Sequence, residues 1–464
     1  MNEKVFMAED LLKNQKDYFY TGQTKSIDFR IAELKKLKKA IKKHEEKIMF
    51  ALEKDLGKAG QESFLTEIGN IYGSIDLFIK KLAKWTRKKS VMTPIFQYGE
   101  SYVEYEPYGC VLIIVPFNYP FQLAMEPLIG AMASGNTVVI KPSEMAEATE
   151  KVIVDIIREA FDEKYIATVT GGADVITKLL NLRFDYIFFT GSVRVGKVVM
   201  AAAAKNLTPL TLELGGKSPV FVDDSFDIKL AARRIIWGKL LNNGQTCIAP
   251  DYVMVKREQK NRLIEELSRA IKEFYGENIK ENPDYGRIIN KKQARRLADI
   301  IEADRELIVF GGGFDIEERF IEPTLFDLSG DGRESAVMQD EIFGPLLPII
   351  SFDNLDEAIA SVRIFEKPLA MYIFSRDKDF VESLKKGISC GNISINDTIK
   401  HVSIHSLPFG GVGQSGLGEY HGKYSIEAFS HRRGVYRNKM NRNIKQILPP
   451  YNQKNFDFLR KLFK

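Results

Sequence analysis

Four short apolar runs, at 111–115, 137–140, 165–169 and 186–189, are each followed by a stretch with helical spacing. A strand that is apolar at every position must be covered on both faces. The helix after each run supplies that cover, so the rhythm predicts an open, parallel, doubly wound α/β domain. A second series begins after Thr211. It has strands at 220–222 and 252–255, helices at Ile228–Leu240 and Lys260–Tyr275, and further strands near 307–310, 346–350, 371–374 and 393–396. These predict a second α/β unit, entered near 210–213.

Upstream, a helix is expected over 27–52, with Ile31, Leu34, Leu37, Ile41, Ile48 and Leu52 on one side. Lys35, Lys36, Lys38, Lys39, Lys42 and Lys43 cover the other side and read as a solvated face rather than a docking site. A second helix carries Ile68, Ile71, Ile75, Ile79 and Leu82, and 101–106 alternates like an exposed strand. At 464 residues the chain exceeds one ordinary core, and no internal repeat is present. A net charge of +5 spread over this length gives no concentrated basic domain, so a nucleic-acid partner is not expected. Cys110, Cys247 and Cys390 are too scattered for a disulfide framework or a metal site, which favours a reducing cytoplasm. No secretory h-region and no apolar run approaching roughly 20 residues occurs, so no integral membrane span is expected.

The segment Asn243-Gly244-Gln245-Thr246-Cys247-Ile248-Ala249-Pro250 carries the most chemistry. A cysteine in a Gly-Gln-Thr turn after a helix can expose its sulfur and leave backbone N–H groups free to bind an oxyanion. The thiolate is the reactive species, so such a site must lower the thiol pKa or supply a base. Other long motifs stand in order around it. They are Pro116-Phe117-Asn118-Tyr119-Pro120, Leu212-Glu213-Leu214-Gly215-Gly216-Lys217-Ser218-Pro219, Gln339-Asp340-Glu341-Ile342-Phe343-Gly344-Pro345 and Leu407-Pro408-Phe409-Gly410-Gly411-Val412-Gly413.

From about Arg30 to His431 the chain resembles the aldehyde dehydrogenase family, most of all its class 3 branch of soluble dimeric and fatty-aldehyde-oxidising enzymes. The resemblance implies that Cys247 is the nucleophile, Glu213 the general base and Asn118 an oxyanion donor acting with the backbone N–H of Cys247. It implies oxidation of an aldehyde to the acid through a thiohemiacetal and a thioester, followed by hydrolysis. Coenzyme A-dependent acyl transfer and a non-redox thiol esterase are the alternatives, and a non-catalytic descendant is disfavoured because nucleophile and base are both present.

A hydride acceptor is chemically required, since no side chain can serve as one. Thr190-Gly191-Ser192-Val193-Arg194-Val195-Gly196-Lys197 follows an apolar strand and opens a helix whose N-terminus can face a pyrophosphate. The resemblance assigns Gly191, Ser192 and Gly196 to that contact, Lys141 and Glu144 to the adenine ribose, and Glu341 with Phe343 to the nicotinamide ribose. A carboxylate at Glu144 favours free ribose hydroxyls, so NAD is expected, with NADP admitted.

The family's architecture implies two doubly wound α/β domains. A Rossmann-like NAD(P)-binding unit takes 1–98 and 111–211, and a catalytic unit takes 212–398. A small β bridging or oligomerisation element at 99–110 and 399–435 would support a homodimer, and 436–464 is a basic tail. Phe456, Phe458, Leu459, Leu462 and Phe463 interleave there with Arg460, Lys461 and Lys464. Packing on a partner subunit or over the substrate mouth is the favoured role for this tail, ahead of weak, reversible membrane association. Cys110 reads as a strand core residue and Cys390 as structural. His401 and His405 lack the helix that their spacing would need to bind a metal. Leu241-Asn242-Asn243 and Glu419 depart from the usual motifs and are expected to be tolerated variants.

Overall fold

A computed structural model describes residues 3–94, 99–328, 330, 332, 334–439 and 445–463. Of the segments considered above, 1–2, 95–98, 440–444 and Lys464 lie outside the described residues.

Each apolar run becomes a strand of a six-stranded sheet. Its order is Gly416–Leu417, Leu210–Glu213, Tyr186–Thr190, Cys110–Ile114, Thr137–Lys141 and Ile166–Thr168, all parallel except the first. Both faces are buried, as the composition of the strands requires. Val111 and Ile113 join a core beneath the helices Ile27–Leu56, Gly69–Trp85, Gln122–Ser134 and Glu147–Ala160. Cys110, Leu112 and Ile114 join the opposite core, with Ala173–Asn181 and Val193–Ala204 over it.

The second sheet has seven strands, in the order Ile308–Phe310, Thr324–Leu328, Leu346–Phe352, Tyr252–Lys256, Pro219–Val222, Ala370–Phe374 and Asn392–Ile395. Only the first of these runs antiparallel to its neighbour. A third, antiparallel sheet joins Lys89–Val91, Gly99–Pro107 and Ser430–Asn438. The fold is therefore mixed α/β with two sheets that are almost wholly parallel and one small antiparallel sheet.

Three elements depart from the sequence reading. Thr324–Leu328 lies inside the second sheet although Asp327 interrupts its apolar pattern; that carboxylate reaches the half-buried edge and pairs with Lys260. Glu3–Tyr20 is a helix despite a weak apolar stripe, because Gln15 docks it on the sheet by donating to the Val138 carbonyl at 3.0 Å. Gly416–Leu417, inside the segment expected to bridge, hydrogen-bonds to Leu210–Glu213. The Lys35–Lys43 face of Ile27–Leu56 is solvated, and Gly57 ends that helix in the left-handed region at φ 61°. Among the described residues no helix is long and apolar enough to cross a membrane.

Candidate active site

Asn118, Lys141, Gly191 and Glu213 end or follow parallel strands of the six-stranded sheet, where an open α/β sheet leaves a crevice, whereas Cys247, Glu341 and Phe343 lie in loops that lead into strands of the seven-stranded sheet. After the helix Ile228–Leu240 the chain turns sharply, with Asn242, Asn243 and Gly244 at φ 52°, 53° and 71°. The buried amide of Gln245 fixes the turn. Its Nε2 donates to the carbonyls of Asn242 and Arg287, each at 3.0 Å, and its Oε1 accepts from Ile289 N at 2.9 Å.

Cys247 then sits half-buried on the wall of an apolar cavity of about 330 Å³, together with Tyr119, Leu123, Trp237, Phe409 and His421. Burial raises its thiol pKa first, and the carboxyls of Glu341 and Glu213 push it further. The backbone N–H groups of Cys247 and Ile248 pull the other way. The turn was expected to expose the sulfur, and the site to lower the thiol pKa or to supply a base. The shift is upward, because burial and the two carboxyls outweigh the two backbone N–H groups and no cation stands among the groups that shift it.

Glu213 ends the strand Leu210–Glu213 and is 3% exposed. Neither carboxyl oxygen has a hydrogen-bond partner among the described residues. Burial drives its pKa well above the usual carboxylate range, with Glu419 adding to the effect. Its backbone carbonyl accepts from Gly191 N at 3.0 Å, so the base position and the glycine loop are one joined structure. Asn118 is buried, and its carboxamide makes no hydrogen bond to the described residues. Its neighbour Tyr119 meets the Thr246 hydroxyl at 2.8 Å, which brings the Asn118 loop against the Cys247 loop.

The residues expected to hold a dinucleotide lie in the glycine loop, at the end of Thr137–Lys141 and in the loop before Leu346–Phe352. Gly191 and Ser192 open the helix Val193–Ala204, and the Ser192 hydroxyl accepts from Val195 N at 3.4 Å. A Cβ on Gly196 would come within 2.7 Å of the Leu214 side chain, so glycine is what lets this helix approach the strand end. Lys141 is fully buried at the end of Thr137–Lys141 and pairs with Glu144, which is partly open to solvent. Glu341 keeps Oε1 buried without a partner, and burial followed by Asp251 raises its pKa to about 8. Phe343, at a strained φ of 49°, meets Phe117 edge-on with ring centroids 5.7 Å apart. Thr190 Oγ1 is another buried atom without a partner beside this loop. Unsatisfied polar atoms around a helix N-terminus fit a phosphate- and ribose-bearing ligand.

A family model described as the aldehyde dehydrogenase family matches residues 8–435. The chain belongs to the aldehyde dehydrogenase family. It is 49% identical over 460 residues to 4,4'-diaponeurosporen-aldehyde dehydrogenase of Staphylococcus aureus, covering 99% of both chains. It is 44% identical over 425 residues to the dimeric NADP-preferring aldehyde dehydrogenase of Canis lupus familiaris, covering 91% of this chain and 93% of that one. A solved structure of the substrate-bound state of Staphylococcus aureus AldH superposes with a TM-score of 0.96 at 48% identity and full coverage of both chains. As a member of this family the protein is an NAD(P)-dependent aldehyde dehydrogenase, as its motifs led us to expect.

The remaining aldehyde dehydrogenase features resolve simply. Cys110 is wholly buried, with Sγ donating to Gln15 Oε1 at 2.9 Å. Cys390 packs against the core of the second sheet, and burial raises its thiol pKa to about 12. His401 lies within a short 3₁₀ turn, Lys400–Ser403, with His405 two residues beyond it, and no cluster that could hold a metal occurs among the described residues. Sequence reasoning missed the buried support of the site. Lys58 Nζ pairs with Glu67 Oε1 at 2.5 Å, and Glu67 Oε2 accepts from Phe121 N and Gln122 N at 2.9 and 3.2 Å. A lysine after a helix-ending glycine reads as a surface charge; only the fold reveals that this one is 1% exposed.

Proposed function

We propose that this aldehyde dehydrogenase works through Cys247, Glu213 and Asn118, turning an aldehyde and water into the carboxylic acid. The observation that carries the reading is Cys247 itself. It opens onto an apolar cavity, while a buried carboxyl without hydrogen bonds, Glu213, lies near enough to raise its pKa. The Cys247 thiol gives its proton to solvent water, and the sulfur adds to the carbonyl carbon as the C=O π bond breaks to the oxyanion. The Asn118 amide and the Cys247 backbone N–H hold the resulting oxyanion, and each such donor contributes about 2.7–4 kcal/mol of transition-state stabilisation. When bound, a nicotinamide would supply the hydride acceptor and a positive charge, and none of the groups that shift Cys247 is a cation. Glu213 takes a proton from the water that attacks the Cys247 thioester, the acid departs, and Cys247 regains its thiol.

Gly191, Ser192 and Gly196 would face the pyrophosphate, Lys141 and Glu144 the adenine ribose, and Glu341 with Phe343 the nicotinamide ribose. The carboxylate of Glu144 supports a preference for NAD, although the canine relative is named as NADP-preferring. The six-stranded sheet would serve cofactor binding and the seven-stranded sheet catalysis. The antiparallel sheet would join two copies in a cytoplasmic homodimer, in keeping with the dimeric relative. The apolar cavity suits an aldehyde with an apolar body, and the Staphylococcus relative is named for 4,4'-diaponeurosporen-aldehyde.

The test pairs a variant with a screen. Cys247→Ala should abolish cofactor reduction by any aldehyde while cofactor binding, read by fluorescence titration, survives. A wild-type screen of short, long and aromatic aldehydes with each cofactor should favour long apolar substrates and NAD. Turnover retained by Cys247→Ala would remove the nucleophile assignment.

A further inference from the structure

Asn242 lies five residues before Cys247 in the turn that follows the helix Ile228–Leu240. It is 3% exposed and sits in the left-handed region at φ 52° and ψ 34°. Both protons of its side-chain amide are used. Nδ2 donates to the Asn118 carbonyl at 2.7 Å and to the Gln245 carbonyl at 3.2 Å. One amide group therefore ties the loop of the oxyanion donor to the loop of the nucleophile, across 124 residues of sequence. Its own backbone N–H donates to Glu62 Oε1 at 2.8 Å, and its carbonyl accepts from Gln245 N and Nε2, each at 3.0 Å.

The same carbonyl of Asn118 has a second, longer donor, Lys58 Nζ at 3.5 Å, itself held by Glu67. Two donors on one carbonyl fix the peptide plane from which the Asn118 side chain springs. The position makes two demands, a left-handed backbone and a double N–H donor. Glycine meets the first alone, most side chains meet neither, and asparagine meets both.

We propose that Asn242 is a positioning residue for the oxyanion site: it sets the Asn118 carboxamide relative to the backbone N–H of Cys247. This rests on the assignment of Asn118 as oxyanion donor. Donors aimed at a developing charge act within a few tenths of an ångström, and a displacement of about 1 Å costs on the order of 100-fold in rate.

The experiment measures kcat and KM for Asn242→Gly, Asn242→Asp, Asn118→Ala and the double variant Asn118→Ala/Asn242→Gly, with unfolding temperatures alongside. Glycine keeps the backbone conformation and removes the amide; aspartate keeps shape and left-handed tolerance and removes both donors. The expected result is a fall in kcat of about 10- to 100-fold for each Asn242 variant. KM for the cofactor should stay unchanged, and the loss from Asn242→Gly should shrink to less than about threefold once Asn118 is already alanine. If Asn242→Gly and Asn242→Asp keep wild-type kcat while Asn118→Ala is impaired, the positioning role is overturned and the oxyanion assignment stands. The same factor of loss in both backgrounds also overturns it, because that is a general structural effect. If Asn118→Ala is as active as the wild type, the oxyanion assignment fails and takes this inference with it.

Discussion

The carboxylate of Glu341 lies against Gly215, so close that a Cβ there would overlap its Oε2. Gly215, two residues after Glu213, is therefore what lets Glu341 lie against this strand end. Burial and Asp251 raise the pKa of Glu341 to about 8, against the opposing pull of the Gly216 N–H, Lys217 and Arg296. Gly215→Ala must displace Glu341 or the strand end that carries Glu213. We expect kcat to fall by at least about 100-fold, from misplacement of the order of 1 Å. Steady-state kinetics check the loss, and circular dichroism checks that the fold survives.

The protonation state of Cys247 gives a second prediction. Burial, Glu341 and Glu213 all favour the neutral thiol, so the thiolate fraction at pH 7 is smaller than for an exposed cysteine. Without cofactor, alkylation of Cys247 by iodoacetamide should rise about tenfold per pH unit from pH 7 to beyond pH 9. Adding NAD, whose nicotinamide is cationic, should accelerate alkylation at pH 7. Peptide mass spectrometry reads the rate at Cys247 itself, and a plateau near pH 7 in the free protein would contradict the electrostatics.

Glu126 yields a stability prediction. It is buried in the helix Gln122–Ser134 with one oxygen accepting from Ser74 Oγ at 2.8 Å and the other without a partner. Burial raises its pKa from 4.5 to about 7. At low pH both folded and unfolded states hold this proton. As pH rises through 4.5 the unfolded chain releases it first, so stability is lost between pH 4.5 and 7 and stays lost above. The shift corresponds to about 3 kcal/mol. Glu126→Gln should raise the unfolding midpoint at pH 8 by roughly 2 °C or more and give no gain at pH 4. Thermal unfolding at the two pH values checks it.

The legible part of this fold lay in period and run length. Runs apolar at every position could only be two-sided strands, and the helices Ile228–Leu240 and Lys260–Tyr275 begin and end where their patterns indicate. Thr324–Leu328 was not legible because its strand character comes from pairing with Leu346–Phe352 on one side and Ile308–Phe310 on the other rather than from its own residues. At the site, the groups with distinctive chemistry stood out beside glycines and prolines. The residues that hold them did not. Lys58, Glu67 and Asn242 reach the Asn118–Gln122 segment through contacts that span 54 to 124 residues, and nothing local in Asn242 separates a two-loop clamp from an ordinary turn asparagine. The state of the thiol was also hidden, since it depends on burial and on carboxyls that come from other strands.

The central claim is that catalysis passes through an acyl group on Cys247 that Glu213 releases. Glu213→Gln, mixed with an apolar aldehyde and NAD and quenched in acid, tests it most directly. The account predicts one equivalent of NADH per active site, then a stall, with intact and peptide mass spectra showing the acyl adduct on Cys247. Unchanged steady-state turnover, or a burst with no adduct on Cys247, would contradict it.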